Sequence, residues 1–187
     1  RPACAAAGGP IVSSRIVLST YLSVLQLLQA GCKADSTLND HTPVLLSAAR
    51  MNHADIVQAL LSHGATPSKQ LATGAWQGAT ALHFAIEQGN EAMVQSLLAA
   101  QSPLELRLQQ QGFTPLMLAS QRGHLSIVLQ LIQAGANVLT TTPAEAERPH
   151  ATALHLAAEA GRLQVVQLLL QYGALVDGLP NTPCPTP

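Results

Sequence analysis

Charge of either sign is scarce in this chain of 187 residues: Lys and Arg number nine, Asp and Glu ten, and charged residues make up 10% of the whole. A formal net charge of −1 excludes nucleic acid as the main partner, because neutralising phosphates needs a basic surface. Aromatic residues are scarcer still, at 3%, so any core must be aliphatic. The three cysteines, Cys4, Cys32 and Cys184, are odd in number and widely spaced. With no CxxC pair they form neither a disulfide framework nor a closed zinc site. A reduced setting is the expectation, cytoplasmic or nuclear.

Long hydrophobic runs are missing too. The stretch from Ile11 to Leu28 is broken by Ser13, Ser14, Arg15, Ser19, Thr20 and Gln26, so no span fit for a bilayer remains and membrane insertion is not expected. No P-loop, GxGxxG or GxSxG occurs, and Glu145 and Glu147 sit in a Pro-flanked loop that favours solvated charge over acid–base work. The expectation is therefore no catalytic residue, no cofactor and no metal. The chain opens on Arg1 rather than Met, as a processed product or an excised fragment does.

What is present is self-similarity. Thr80-Ala81-Leu82-His83-Phe84-Ala85 matches Thr114-Pro115-Leu116-Met117-Leu118-Ala119 and Thr152-Ala153-Leu154-His155-Leu156-Ala157, with a looser copy at Thr42-Pro43-Val44-Leu45. Each copy runs on to Asn52-His53, Gly89-Asn90, Gly123-His124 or Gly161-Arg162, then to an aliphatic pair such as Ile127-Val128 or Val165-Val166. Three close with Gly-Ala, at Gly64, Gly135 and Gly173, whereas the Thr80 copy has Gln101-Ser102-Pro103. The starting threonines lie 38, 34 and 38 residues apart, a base period near 33 with small insertions.

Each piece has a physical reading. Threonine before Pro or Ala offers a hydroxyl to the free N–H groups of a helix start, where proline is tolerated. Leu and Ala then recur on one face, and Gly or Asn ends the short helix. A second helix follows with aliphatic residues at three- and four-residue spacing, as in Val165, Val166, Leu168, Leu169 and Leu170. One unit is two antiparallel helices and a connecting finger. Earlier in the chain, Tyr21, Leu22, Val24, Leu25, Leu27 and Leu28 before Gly31 read as the second helix of a degenerate first unit.

The TPLH…G-H…IV…LL…GA pattern of these copies resembles the ankyrin repeat over roughly residues 10 to 177. The expected fold is all-α: a solenoid of about five helix-turn-helix units at 10–38, 39–77, 78–111, 112–149 and 150–177. A flexible segment 1–9 precedes it and a Pro-rich tail or linker 178–187 follows. Because one pair cannot bury its apolar stripe alone, the units must stack. The resemblance implies a monomeric, non-enzymatic protein-interaction module, a scaffold or adaptor that binds another protein or an extended peptide on its concave face. The alternatives are an adaptor domain of a larger multidomain enzyme and a microbial effector that binds host proteins.

Binding then falls to positions that the repeat leaves free. Near the ends of the first helices these are Arg50 and Met51, Glu87 and Gln88, Gln121 and Arg122, and Glu159. At the finger tips they are His41, Trp76, Phe113 and His150. Trp76 and Phe113 stand out in a chain so poor in aromatics, and exposed Trp is a common interface anchor. As an anchor, Trp76 should be replaceable by Ala with loss of binding and little loss of stability; the competing reading folds it back over its own loop. Two fingers are long, 66–76 by about four residues and 138–149 by about five relative to the repeat norm. The resemblance gives His83 and His155 a structural hydrogen-bonding role. His53, His63 and His124 fall at turns and a helix end, where a structural role is also expected.

Overall fold

The computed structural model describes residues 42–175 together with Ala34, Asp35 and Thr37. The expected first unit lies outside the described residues apart from those three, as do the segments 1–9 and 178–187. Eight helices form in the described part: α1 (Val44–Arg50), α2 (Ala54–Ser62), α3 (Ala81–Glu87), α4 (Glu91–Ala99), α5 (Pro115–Arg122), α6 (Leu125–Gln133), α7 (Ala153–Glu159) and α8 (Leu163–Gln171). Among the described residues β structure is confined to two isolated bridges, Thr37 with Pro43 and Thr141 with Thr152. None of these helices is long and apolar enough to cross a membrane.

The helix starts follow from the threonines. Thr114 Oγ1 accepts the Met117 N–H at 3.4 Å, and Pro115 takes the first helical position. Thr152 Oγ1 accepts from His155 N–H at 3.4 Å, and the Thr152 N–H donates back to His155 Nδ1 at 3.3 Å. This is a reciprocal cap in which imidazole replaces the usual Glu or Gln. The Thr80 N–H donates to His83 Nδ1 in the same way, at 3.2 Å. The Thr42 copy departs from the others. Val57 stands 15 residues after Thr42, where Val94 and Val128 stand 14 after Thr80 and Thr114. The helix of this copy begins at Val44 behind Pro43, with no side-chain cap, so the extra residue is absorbed ahead of the helix.

Left-handed backbone stops the helices. Gly123 does so at φ 82°, and where a copy lacks glycine another residue takes the same conformation: Asn52 at φ 62° and Gln101 at φ 57°. Gln101 thus performs the chain reversal that Gly64 and Gly135 perform elsewhere, at a steric cost glycine avoids.

Packing is in two layers. First helices contact first helices along the series α1, α3, α5, α7, and second helices follow the series α2, α4, α6, α8; each pair also packs against itself. Small residues permit the close approach: Ala85, Ala119 and Ala157 occupy one equivalent position and are fully buried. Leu82, Leu116, Val94, Val128, Leu97 and Leu131 fill the space between layers. Each such aliphatic side chain contributes roughly 1.5–3 kcal/mol when removed from water.

Candidate binding surface

The expected docking positions line up because the units stack. Arg50, Glu87, Gln121 and Glu159 fall at matching places near the ends of α1, α3, α5 and α7, with Met51, Gln88 and Arg122 beside them. Their environments differ sharply. Met51 is 64% exposed, and the Arg50 side chain is exposed beside it.

Several of the others are engaged in holding neighbouring units together. Arg122 Nε and Nη2 donate to Glu87 Oε2 and Oε1 at 2.7 and 2.6 Å. Gln88 Nε2 donates to the carbonyls of Arg50 at 2.8 Å and Ala49 at 3.2 Å. Arg162 Nε reaches the Gln121 carbonyl at 3.3 Å. Glu159 pairs with Arg148 of the long finger. The strip is therefore a seam as well as a surface, and Glu87, Arg122 and Glu159 already have opposite charges.

Sequence reasoning missed this ladder, which extends to residues outside the expected set. Asn90 Nδ2 donates to Asn52 Oδ1 at 2.7 Å. Glu105 accepts the Asn137 N–H at 3.0 Å and the Thr140 hydroxyl at 3.2 Å. Asp35 accepts the Thr66 N–H at 2.8 Å and its hydroxyl at 2.7 Å, with Lys69 Nζ 3.4 Å away. The Thr66 N–H and hydroxyl, reinforced by Lys69, hold the Asp35 carboxyl below its ordinary range. Apart from Glu159 with Arg148, these partners lie about one repeat apart in the chain, a relation that shows only when neighbouring units are aligned.

The aromatic residues part company. Phe113 is 3% exposed and belongs to the core, which corrects the expectation of a finger-tip contact. Its carbonyl accepts the Leu108 N–H at 3.0 Å, closing the finger so that the ring turns inward. Trp76 is half-buried, packs on the core, and lies 5.6 Å from Phe84 between ring centroids, tilted by 36°. It folds back on the stack while part of it faces solvent. His150 is exposed, with φ at 56°. His41 lies outside the described residues.

The histidines of the repeat are structural in their surroundings. His83 is fully buried. Burial lowers its pKa to about 4, against an opposing pull from the backbone of Phe113 and Leu106. His63 Nδ1 lies 2.9 Å from the Ala59 carbonyl, at the end of α2. Among the described residues, no three His, Cys, Asp or Glu side chains gather as a metal site needs.

Comparison with known proteins agrees with this geometry. The family model for ankyrin repeats (3 copies) matches residues 15–108, 68–142 and 104–179. The mouse protein fem-1 homolog A-like is 37% identical over 93 residues, 50% of this chain and 13% of the mouse protein. The rice probable E3 ubiquitin-protein ligase XBOS31 is 32% identical over 125 residues, 67% of this chain and 26% of that protein. The chain thus spans well under a third of either relative. Stacked helix pairs, threonine caps, left-handed stops and these matches agree: the chain belongs to the ankyrin-repeat family.

Proposed function

We propose that the chain is a non-enzymatic protein-interaction module that takes a protein or an extended peptide along the strip at the ends of its first helices. The observation that carries this reading is Met51, 64% exposed beside the exposed Arg50 and at the same level as Gln88 and Gln121. An apolar side chain left in water beside a cation, with Gln88 and Gln121 at matching positions one and two units further along, offers a partner both contact area and polar register. Trp76 contributes the open part of its ring and His150 the tip of the longer finger. Phe113 is left out because it is buried, and Glu87, Arg122 and Glu159 serve mainly the seam. A cytoplasmic or nuclear location and a monomeric state belong to the same reading.

The reading as part of a larger protein is favoured by the relatives, in which the matched stretch is a minor fraction of the length. One of them is named a probable ubiquitin ligase; in that context the array would hold a protein for a catalytic domain elsewhere. The test pairs Met51→Asp with Gln58→Asp, an exposed α2 residue away from the strip, in binding to proteins captured by the unaltered chain. Loss of binding with Met51→Asp alone, at equal thermal midpoints, supports the strip. Equal binding by both variants overturns it.

A further inference from the structure

The last described unit is open at positions that every earlier described unit seals. Val166 is only half-buried, whereas its equivalents Val57, Val94 and Val128 are completely buried. Ala158 is exposed, whereas its equivalents Ile86 and Ser120 are completely buried. Leu154, His155, Ala158, Val166 and Leu170 line an apolar recess of about 210 Å³. Four of the seven large apolar side chains exposed among the described residues, Leu163, Leu170, Tyr172 and Leu175, belong to this unit.

A second feature marks the same end. Two of the glycines that follow first helices in inner units, Gly89 and Gly123, each face a side chain from the next unit. A Cβ at Gly89 would lie 2.9 Å from His124 Cε1, and one at Gly123 would lie 2.6 Å from Arg162 Cδ. Gly161 has the same left-handed backbone, φ 69°, and nothing within 4 Å of that point. The notch is cut, and no described side chain fills it.

The sequence supplies a matching spacing. Thr114-Pro115 stands 13 residues after Gln101, the left-handed stop of α4. Thr186-Pro187 stands 13 residues after Gly173, the left-handed residue that follows α8. It is also 34 residues after Thr152, the interval that separates Thr80 from Thr114.

We propose that this end face is a unit–unit seam whose occupant is one more helix pair of the same kind, entered at Thr186-Pro187 and laying a long polar side chain over Gly161. The surface continues the established seam between α5/α6 and α7/α8, with the same small, apolar and notched elements in the same places. A peptide ligand would not require the notch and the recess to repeat the inner spacing.

The test fuses a copy of residues 116–136 of this chain directly after Pro187, which reproduces the Thr114 unit in register. The expected results are a thermal midpoint higher by several degrees and amide exchange in α8 slowed at least tenfold. Ala158→Glu should cancel both gains in the extended chain while leaving the unextended chain nearly unchanged, because Ala158 is exposed there. Unchanged exchange in α8, or gains that survive Ala158→Glu, would overturn the proposal. So would a dimer of the unextended chain that protects α8, since the occupant would then be a second copy.

Discussion

Arg122 grips both carboxylate oxygens of Glu87, although 35 residues separate them in the chain. The two bonds lie side by side in the fork geometry that favours Arg over Lys. They tie the end of α5 to the end of α3, and so fix the spacing of two neighbouring units at the rim proposed for binding.

Because Arg122 is 44% and Glu87 29% exposed at the side chain, solvent weakens this pair. A double-mutant cycle of Arg122→Ala and Glu87→Ala in urea denaturation is expected to give a coupling of about 0.5–1 kcal/mol, shrinking at high salt. Arg122→Lys should lose most of it. A coupling that ignores salt would contradict the exposed geometry.

Phe113→Ala is expected to cost about 3–5 kcal/mol, the range for emptying a buried aromatic site. Trp76→Ala should cost roughly half as much, because the ring is half-buried and leans on Phe84. This replaces the expectation that Trp76 can be removed freely. Chemical denaturation of both variants checks the order, and a Trp76→Ala chain as stable as the parent would return Trp76 to the role of a free anchor.

Acid should weaken the stack through His83. The imidazole titrates near its ordinary 6.5 when unfolded and at about 4 when folded. Between those values the unfolded chain binds the extra proton. Stability therefore falls as pH drops from about 6.5 towards 4, by on the order of 3 kcal/mol in all. His83→Gln keeps an acceptor at the capping position and removes the titration, so its stability should be flatter across that window. Asp35 acts in a lower range: its contribution is present above its ordinary 3.8 and fades as pH falls through its depressed native value. Urea midpoints measured from pH 7.5 to 4 distinguish the two chains.

Gln101→Gly is expected to stabilise the protein by about 0.5–1 kcal/mol. Gln101 occupies a left-handed conformation at φ 57° that costs a residue with a Cβ and suits glycine. The gain should appear as slower unfolding and a higher thermal midpoint. Unfavourable change on this substitution would mean that the Gln side chain holds the finger in some other way.

The repeat was legible because its determinants are local. Thr80, Thr114 and Thr152 begin helices for reasons contained within four residues, and Gly123 ends one for a reason contained in its own backbone. The shifted start at Pro43 was harder, since one surplus residue before a helix can be absorbed on either side of the cap. Phe113 was misread because a finger position is solvent-facing only if the finger stays open, and Leu108 closes it. The cross-unit ladder was invisible for a different reason. A pair such as Asn90 and Asn52 carries no local signal, and its meaning appears only when the two units are laid side by side.

The confinement of the main helix contacts to adjacent units has a mechanical corollary. Severing the joint between α3 and α5 would leave two short stacks, each bearing a bare greasy flank and neither sheltered by the other. Such a molecule gives way by sections, ends first, and tension applied at one terminus reaches the far one only through every joint between.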